Sequence, residues 1–433
     1  MGLRGQLAGA GVALIIGSAV PLHAAVAASG ILPNSNNATN KGMAGAGMAL
    51  PQDAVAVSEN PASIGVLGNM ASGGLSLLFG GAEIDVTGSG SGFFPLEEGR
   101  TDGEERWFQV PAAAVTYAAT DRLSLALAAY GYFGLGDAYP NKPQSTCPPP
   151  PASTGTGVFC GGTLTADFGA IFFTATAAYE VLPNLWLGVS PIGTFTRFKL
   201  QGAGFFSAAS SDPDNVSNNG WDTAWGHGLQ LGVHYDPGPF AVGASWQSVI
   251  DMDSFGDYAG IIADRGNLDL PAVWRLGLAV PVTERLDVAI DVEHVQYSKV
   301  EGLSNEFVNP LVPGNTLLGE PGATGFGWND NTSLQFGAQY GVTEALTLRA
   351  GYAISNEIVP EDQVLFSSVA PGSIRQHYAA GFGYKFSDSL VVDFGASWSP
   401  AEEVEGPNNL SPDQQLLIAL DSLELALGLS WRY

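Results

Sequence analysis

The stretch DSLELALGLSWRY, residues 421–433, alternates strictly between two kinds of side chain. Leu423, Leu425, Leu427 and Leu429 lead one series, and serine, glutamate, alanine, glycine and arginine fill the positions between. A period of two predicts a strand with one apolar face and one polar or small face. Soluble strands usually run ~5–6 residues, whereas tilted membrane strands need ~9–11. The length therefore favours a strand whose apolar face meets lipid.

The same alternation recurs along the chain. Between residues 286 and 293, for example, leucine, valine and isoleucine alternate with carboxylates and alanine, which requires one wet or ion-paired face. Fourteen such runs are predicted as strands, at 71–87, 106–120, 123–136, 164–181, 185–199, 221–236, 240–251, 268–282, 286–299, 331–342, 346–358, 375–386, 390–399 and 421–433.

The connections between these runs alternate in length. Six turns are only two or three residues long, and the longer loops fall near 88–105, 137–163, 200–220, 252–267, 300–330, 359–374 and 400–420. Outer-membrane barrels combine short periplasmic turns, long extracellular loops and an even number of strands. The pattern predicts an all-β, 14-stranded antiparallel transmembrane barrel, with Trp246 and Trp398 in its outer aromatic girdle.

The composition agrees with a membrane barrel. Only 13% of the 433 residues are charged, about half the usual ~25%. The net charge of -26 argues against nucleic-acid binding. The histidines form no metal-ligand cluster in the sequence, and we expect neither a metal nor a cofactor.

The first 28 residues predict export. A basic Arg4, an apolar core at residues 12–20 and Ala25-Val26-Ala27 have the order of a signal peptide. No other run approaches the ~20 apolar residues that a helical span requires. We expect a bacterial outer-membrane location after cleavage, with insertion by the barrel assembly machinery.

The stretch GMAGAGMALPQDAVAVSENPAS, residues 42–63, is almost free of large side chains and precedes the first strand. It resembles the N-terminal signature of the FadL family of long-chain fatty-acid transporters. The resemblance implies a hatch segment at residues 29–69 that plugs a barrel at residues 70–433. By motif match it assigns hatch positions to Gly42, Gly45, Gly47, Asp53, Asn60, Pro61 and Ala62. A dinucleotide-binding loop is disfavoured because the glycines have the wrong order and no strand precedes them.

The resemblance also implies a function, namely passive uptake of hydrophobic small molecules. Long-chain fatty acids are the first expectation, and aromatic hydrocarbons, the substrates of the TodX branch, are the alternative. The family's lateral exit implies a break in the third strand, where Gly131, Gly134 and Gly136 interrupt the alternation. Glycine inside a strand marks a bulge or close passage, so a plain bend of the barrel is the competing interpretation.

Candidate ligand-binding residues are the cations on predicted strands and aromatic residues near the outer mouth. A fatty-acid carboxylate requires an arginine or lysine, whereas a hydrocarbon requires only apolar walls. The candidates are Phe195, Arg197, Lys199, Phe205, Phe206, Trp221, Arg275, Arg349 and Lys385. Separately, Cys147 and Cys160 flank a proline-rich loop, and in an exported chain such a pair predicts a disulfide.

Two other functions remain as alternatives. A barrel enzyme such as a phospholipase needs a nucleophile beside a general base, but the sequence contains neither a His-x-Ser run nor a G-x-S-x-G elbow. A general water-filled porin is disfavoured by the plug-like N-terminal segment. We therefore expect a transporter and no enzymatic activity.

Overall fold

A computed structural model describes residue 30 and residues 32–92, 94–104, 106–147 and 153–433; the predicted signal peptide lies outside this part. Fourteen long antiparallel strands form a sheet that closes on itself, because the first strand pairs with the last from Met70 opposite Arg432 to Thr87 opposite Gln415. The predicted fourteen-stranded barrel is therefore confirmed. The strands are β1 (Met70–Thr87), β2 (Arg106–Thr120), β3 (Leu123–Tyr139), β4 (Leu164–Leu182), β5 (Leu185–Gln201), β6 (Asp222–Tyr235), β7 (Ala241–Gln247), β8 (Ala272–Thr283), β9 (Leu286–Gln296), β10 (Asn331–Gly341), β11 (Leu346–Ser355), β12 (Gln376–Ser387), β13 (Leu390–Pro407) and β14 (Gln415–Arg432).

Side chains of the strands alternate between a buried inner face and an exposed outer face. In β14, Ser422 and Glu424 are buried, whereas Leu427 and Leu429 are at least half exposed. Exposed aromatic residues form two belts on the outer face. The belt toward the long loops contains Trp107, Trp225, Trp274, Tyr378 and Trp398, and the belt toward the short turns contains Tyr117, Tyr179, Tyr235, Tyr340, Tyr384, Phe386 and Trp431. Two belts flanking an apolar band are the mark of a bilayer-spanning barrel.

The predicted loop at residues 400–420 is wrong, because β13 continues to Pro407 and β14 already begins at Gln415. Residues 416–420, LLIAL, are apolar on both faces and therefore carry no period of two. Leu416, Ile418 and Leu420 face the interior, which is apolar at this end. The predicted strand 240–251 is also interrupted, since β7 ends at Gln247 and only Asp251–Met252 pairs again with β6.

The connections contain short elements only. Single α-helical turns lie at Ala38–Lys41, Glu301–Ser304 and Val364–Ser367, and a turn at Ala263–Gly266 contains two left-handed residues. Three-residue-per-turn helices span Ala54–Ser58, Pro61–Val66, Gly204–Ala209, Pro213–Asn215, Gly256–Tyr258, Tyr297–Lys299 and Glu361–Gln363, and a two-stranded extension pairs Gly99–Asp102 with β1. A disulfide joins Cys147 to Cys160 in the loop after β3. None of the described helices is long and apolar enough to cross a membrane.

The described N-terminal residues 32–67, hereafter the N-terminal segment, contact the inner faces of strands all around the barrel. Lys41 pairs with Glu424 of β14, Gly47 donates its backbone N–H to Asp291 of β9 at 2.8 Å, and the side chain of Gln230 in β6 donates to the Ser58 carbonyl at 3.2 Å. Because these strands are far apart in the sheet order, the segment crosses the interior of the barrel.

Candidate functional site

Two consecutive capped turns shape the second half of the N-terminal segment. Asp53 precedes Ala54–Ser58 and accepts a hydrogen bond from the Val55 N–H at 2.8 Å. Asn60 precedes Pro61–Val66 and accepts from the Ala62 N–H at 3.0 Å. Aspartate and asparagine are favoured N-caps, and proline suits the first helical position. The Asp-Ala and Asn-Pro-Ala motifs therefore begin the two turns.

The Asn-Pro-Ala motif lies directly on glycines of the wall, the first glycine patch (Gly188, Gly232 and Gly243). A methyl group at Gly188 would lie 2.3 Å from the Ala62 nitrogen, and one at Gly232 would lie 2.1 Å from Oδ1 of Asn60. The side chain of Asn60 also donates to the Val233 carbonyl of β6 at 2.9 Å. Any larger wall residue would displace the segment.

The first half of the segment rests on a second glycine patch, formed by Gly337, Gly351, Gly381 and Gly395 of β10–β13. A methyl group at Gly351 would lie 2.1 Å from the Met43 carbonyl carbon. One at Gly395 would lie 2.8 Å from the nitrogen of Gly42. Backbone thus packs on backbone across the lumen, which is the close approach that glycine permits.

Gly45 and Gly47 allow a turn within the N-terminal segment itself. Their φ angles are +90° and +122°, in the region that favours glycine. This turn directs the N–H groups of Gly47 and Met48 at one carboxylate oxygen of Asp291, each at 2.8 Å. The inward carboxylate of β9 therefore stabilises this turn through hydrogen bonds. The alternation at residues 286–293 had predicted a wet or ion-paired face instead.

Buried charges fasten the segment to the wall. The Lys41 side chain is fully buried and pairs with Glu424. Arg349 pairs with Asp393 at 2.7 Å and donates to Gln52 of the segment at 3.0 Å. A buried pair broken on one side leaves an uncompensated charge, so these contacts oppose any shift of the segment.

Two carboxyl groups of the segment are buried without a cation bonded to them. Burial raises the pKa of Glu59 to about 7, although hydrogen bonds from Ser35 and Asn40 act in the opposite direction. Burial and the nearby Asp393 raise the pKa of Asp53 to about 6. Both pKa values lie above those of free carboxyl groups, so the contribution of Asp53 and Glu59 to docking falls as the pH rises.

The wall is interrupted between β2 and β3. Their hydrogen-bonded register ends at Ala112 opposite Tyr130, and toward the loop end the Glu104 N–H donates to the Ala138 carbonyl at 2.7 Å. Between these points, residues 106–111 of β2 and residues 131–137 of β3 have no register with each other. We call these residues the unpaired overlap.

A bulge in β3 coincides with the overlap. The register of β3 with β4 shifts between Gly131 and Phe133, which leaves Tyr132 as the extra residue. Its ring stacks on Phe172 with centroids 4.2 Å apart, and its hydroxyl accepts a hydrogen bond from Arg275 at 2.9 Å. Bulges bend a strand and end its pairing, which explains why β3 leaves β2 here.

The predicted glycines lie where β2 crosses β3. A methyl group at Gly131 would lie 2.7 Å from a γ-carbon of Val110, and one at Gly136 would lie 3.0 Å from the Phe108 ring. Gly134 lies opposite Gly169 of β4. In the overlap, therefore, side chains of β2 fill the space over the glycines of β3 where the backbone pairing between the two strands has stopped.

An apolar pocket lies at the loop end of the interior, with a cavity volume of about 80 Å³. It is enclosed by aromatic and aliphatic side chains, and Thr324 is the most polar of the described lining residues. Phe168 lies on β4 opposite residue 135 of β3, so the pocket borders the unpaired overlap. Its aromatic lining residues are Phe159, Phe168, Phe198, Phe206, Phe326, Trp328 and Phe366.

Residues 20–421 match a model of the family described as outer membrane protein transport protein (OMPP1/FadL/TodX). The chain belongs to this family. Outer membrane protein P1 of Haemophilus influenzae is 26% identical over 290 residues, which are 57% of this chain and 59% of that protein. The 47 kDa outer membrane protein of Pasteurella multocida is 25% identical over 193 residues, 40% of this chain and 42% of that one. The chain thus aligns with about half the length of these relatives.

Solved structures of the OMPP1/FadL/TodX family share the fold. The toluene transporter TodX of Pseudomonas putida superimposes with a TM-score of 0.67 at 17% identity, covering 94% of this chain and all of that one. A FadL homologue of Pseudomonas aeruginosa gives 0.65 at 16% identity, covering 93% and 99%. Membership of the family places the protein in the outer membrane, with the short turns toward the periplasm.

Few of the predicted ligand-binding residues reach the pocket of this OMPP1/FadL/TodX protein. Phe206 lines it, and Phe205 stacks on Phe94 beside it at 4.1 Å. Arg275 and Arg349 point inward but are engaged by Glu293 and Asp393 beneath the N-terminal segment. Lys385 is exposed at the periplasmic end and pairs with Asp388.

Four predicted candidates lie on the outer face of the barrel. Phe198 and Leu200 of β5 point inward, so Arg197 and Lys199 between them point outward. Phe195 contacts the exposed Trp225, and Trp221 stacks with Arg197. At the loop end the interior is apolar and the outer surface is wet, which reverses the polarity expected for a membrane strand.

One serine and histidine pair escaped the search for catalytic runs, because it spans two strands. Ser399 of β13 and Nδ1 of His377 in β12 are 2.5 Å apart. Both residues are at least 97% buried, and a buried pair offers no surface to a substrate, so we assign it to the polar inner wall. Among the described residues no cluster of histidine, cysteine and carboxylate side chains could hold a metal ion.

Proposed function

We propose that this OMPP1/FadL/TodX protein takes up hydrophobic small molecules passively through the outer membrane. The ligand enters the apolar pocket between the long loops, and it leaves sideways through the unpaired overlap into the membrane. The N-terminal segment acts as the hatch that closes the lumen to water and polar solutes. The family's description as a transport protein supports the general role.

The observation that carries the lateral route is that residues 106–111 of β2 and residues 131–137 of β3 have no backbone register with each other. Parting two strands elsewhere would leave backbone groups unsatisfied in lipid, at several kcal/mol per group. In the overlap the two strands have no ladder of backbone pairs to break, and Val110 and Phe108 pack over glycines of β3. A hydrophobic solute also prefers the membrane to the aqueous periplasm.

The pocket favours an uncharged ligand of about one aromatic ring. No charged residue is among its described lining residues, so a fatty-acid carboxylate would find no partner there. The cavity of about 80 Å³ is roughly half the ~150 Å³ apolar cavity that binds benzene, so a single ring would enter with small side-chain shifts. The fold neighbour TodX is named as a toluene transporter. Long-chain fatty acids are the second candidate, on the sequence signature alone.

Uptake of radiolabelled toluene and of oleate by proteoliposomes distinguishes the two substrates. Ala370→Leu would fill the pocket, and Ala113→Leu, on the lipid face of β2, is the matched control. We expect toluene entry to fall at least about fivefold in the first variant, since overpacking costs ~1–3 kcal/mol, and to stay unchanged in the second. Equal toluene entry in both variants would show that toluene does not pass through the pocket. Faster entry of oleate than of toluene would reverse the substrate assignment.

We also propose that the protein has no enzymatic activity and that its partners are its ligand, outer-membrane lipid and the barrel assembly machinery. The buried Ser399 and His377 pair is the nearest approach to a catalytic arrangement. Intact phospholipid after prolonged incubation with the purified protein is the expected result. Hydrolysis that disappears in Ser399→Ala would instead support the phospholipase alternative.

A further inference from the structure

Two cations and one aromatic ring meet on the outer face of the barrel near the ends of β5 and β6. The guanidinium carbon of Arg197 lies 4.1 Å from the centre of the Trp221 ring. The Lys199 ammonium lies 4.9 Å from the same ring. The cations are two residues apart on one face of β5, in a chain with only 16 lysines and arginines.

The position of this cluster relative to the membrane follows from the outer aromatic belt. Phe195 pairs with the exposed Trp225, their ring centroids 5.0 Å apart, and marks the belt on β5. With ~3.3 Å per residue and a tilt of ~45°, Arg197 and Lys199 lie about 5 and 9 Å above the belt. The polar headgroup layer of a leaflet is about 5–8 Å thick, so both cations lie in or near the layer of outer-leaflet headgroups.

The charges at the cluster leave it positive. Lys199 is 3.1 Å from a carboxylate oxygen of Asp167, whose side chain is almost fully buried. No ion pair to Arg197 occurs in the part of the chain that the structure describes, and the Nε and Nη2 atoms of Arg197 are buried without a hydrogen-bond partner there. Two cations and one carboxylate leave the cluster with one net positive charge, on a protein whose net charge is -26.

We propose that Arg197, Lys199 and Trp221 form a binding site for the phosphate monoester of a glycolipid in the outer leaflet. Arginine and lysine both bind phosphate. The Trp221 ring holds both cations beside each other and offers its edge to the sugar or acyl part of the lipid. The site faces away from the lumen.

Native mass spectrometry of delipidated protein in mild detergent tests the proposal. The titrants are diphosphoryl lipid A, the same lipid with its phosphates removed, and inorganic phosphate. The variants are Arg197→Gln with Lys199→Gln, and Lys199→Gln alone in case the double variant misfolds. Lys385→Gln, an exposed cation at the opposite end of the wall, is the matched control, and heat-modifiable electrophoretic mobility confirms folding.

Wild type and Lys385→Gln should bind the phosphorylated lipid alike. The double variant should bind it about 20- to 30-fold more weakly, since each surface cation contributes about fivefold, and Lys199→Gln about fivefold more weakly. Equal affinity for the dephosphorylated lipid would overturn the proposal. So would unchanged binding in a folded variant, or inorganic phosphate binding as tightly as the lipid, which would indicate a site for free anions.

Discussion

Glycines serve two opposite purposes in the wall of this barrel. In β5–β7 and β10–β13, inward glycines such as Gly188 and Gly351 let the backbone of the N-terminal segment lie against the wall. In β3, Gly131 and Gly136 point outward, and side chains of β2 lie over them. The first arrangement keeps the pairing between strands intact and provides the surface on which the N-terminal segment packs. The second occurs where that bonding stops and leaves a contact that can part.

Both sets of glycines mark a close approach of another part of the chain. Whether the glycine faces the lumen or the outside decides which part of the chain packs against it. An inward glycine is covered only while the N-terminal segment stays docked, whereas an outward glycine of β3 is covered by the neighbouring strand β2. The following experiments act on one set while leaving the other intact.

The largest effect is expected from Lys41→Met. The substitution leaves Glu424 buried without its partner, and such losses cost about 3–5 kcal/mol. The N-terminal segment should undock, and single-channel conductance in planar bilayers should rise to a sustained open level. Adding Glu424→Gln removes the stranded charge and should restore much of the closed level. A closed Lys41→Met channel would show that the pair does not hold the segment.

Gly188→Val should have the next largest effect on the same readout. Its side chain would collide with the backbone of Pro61 and Ala62, and overpacking costs about 1–3 kcal/mol. The ratio of open to closed channel should therefore rise about 10- to 100-fold. Gly193→Val is the control on the same strand, because the nearest atom to its added carbon is 4.0 Å away. Equal conductance of the two variants would argue against docking on the first glycine patch.

Gly131→Ala tests the outward glycines of β3. The added carbon would press on Val110 at 2.7 Å and weaken the closed contact by about 1 kcal/mol. Uptake of a hydrophobic ligand should rise roughly fivefold, with conductance unchanged because the segment is untouched. Val110→Ala combined with Gly131→Ala removes the collision and should return uptake to the wild-type rate. An increase in conductance instead would mean that the two sets of glycines are not independent.

The smallest effect is a gradual dependence of docking on pH. The docked pKa of Glu59, about 7, is raised above its ordinary value of 4.5 by burial. The stabilisation of the docked state is therefore fully present below about pH 4.5 and is lost as the pH rises through 7. Open events should become more frequent from pH 5 to pH 8, and Glu59→Gln should flatten this slope. An unchanged slope in the variant would assign the dependence to other groups, with Asp53 as the first to test.

The barrel could be predicted from the sequence because alternation is a local property. Fourteen runs with a period of two were enough to count the strands. The continuation of β13 to Pro407, the LLIAL stretch of β14 and the break after Gln247 were missed. The outward facing of Arg197 and Lys199 was not recognised. Their neighbours Phe198 and Leu200 fit either a lipid-facing or an inward series until the apolar interior at the loop end is known.

The contacts that define the candidate site required the structure. The inward glycines of β5–β7 and β10–β13 could not be distinguished from ordinary small wall residues, since their partners lie more than 100 positions away in the sequence. The bulge at Tyr132 was indicated by neighbouring glycines, but the loss of pairing with β2 depends on the path of both strands. The sequence therefore indicated a bulge near these glycines but not the geometry of the two strands.

The central claim, that hydrophobic ligand leaves through the unpaired overlap, is tested most directly by locking the overlap with a disulfide. A carbon added at Gly131 lies 3.7 Å from the β-carbon of Val110, within the range that a disulfide requires. Val110→Cys with Gly131→Cys should lose ligand uptake when oxidised and regain it on reduction. Ala113→Cys with Ala129→Cys, at a paired position just beside the overlap, should transport equally in both states. Undiminished uptake by the oxidised, fully cross-linked Val110→Cys and Gly131→Cys protein would contradict the lateral route.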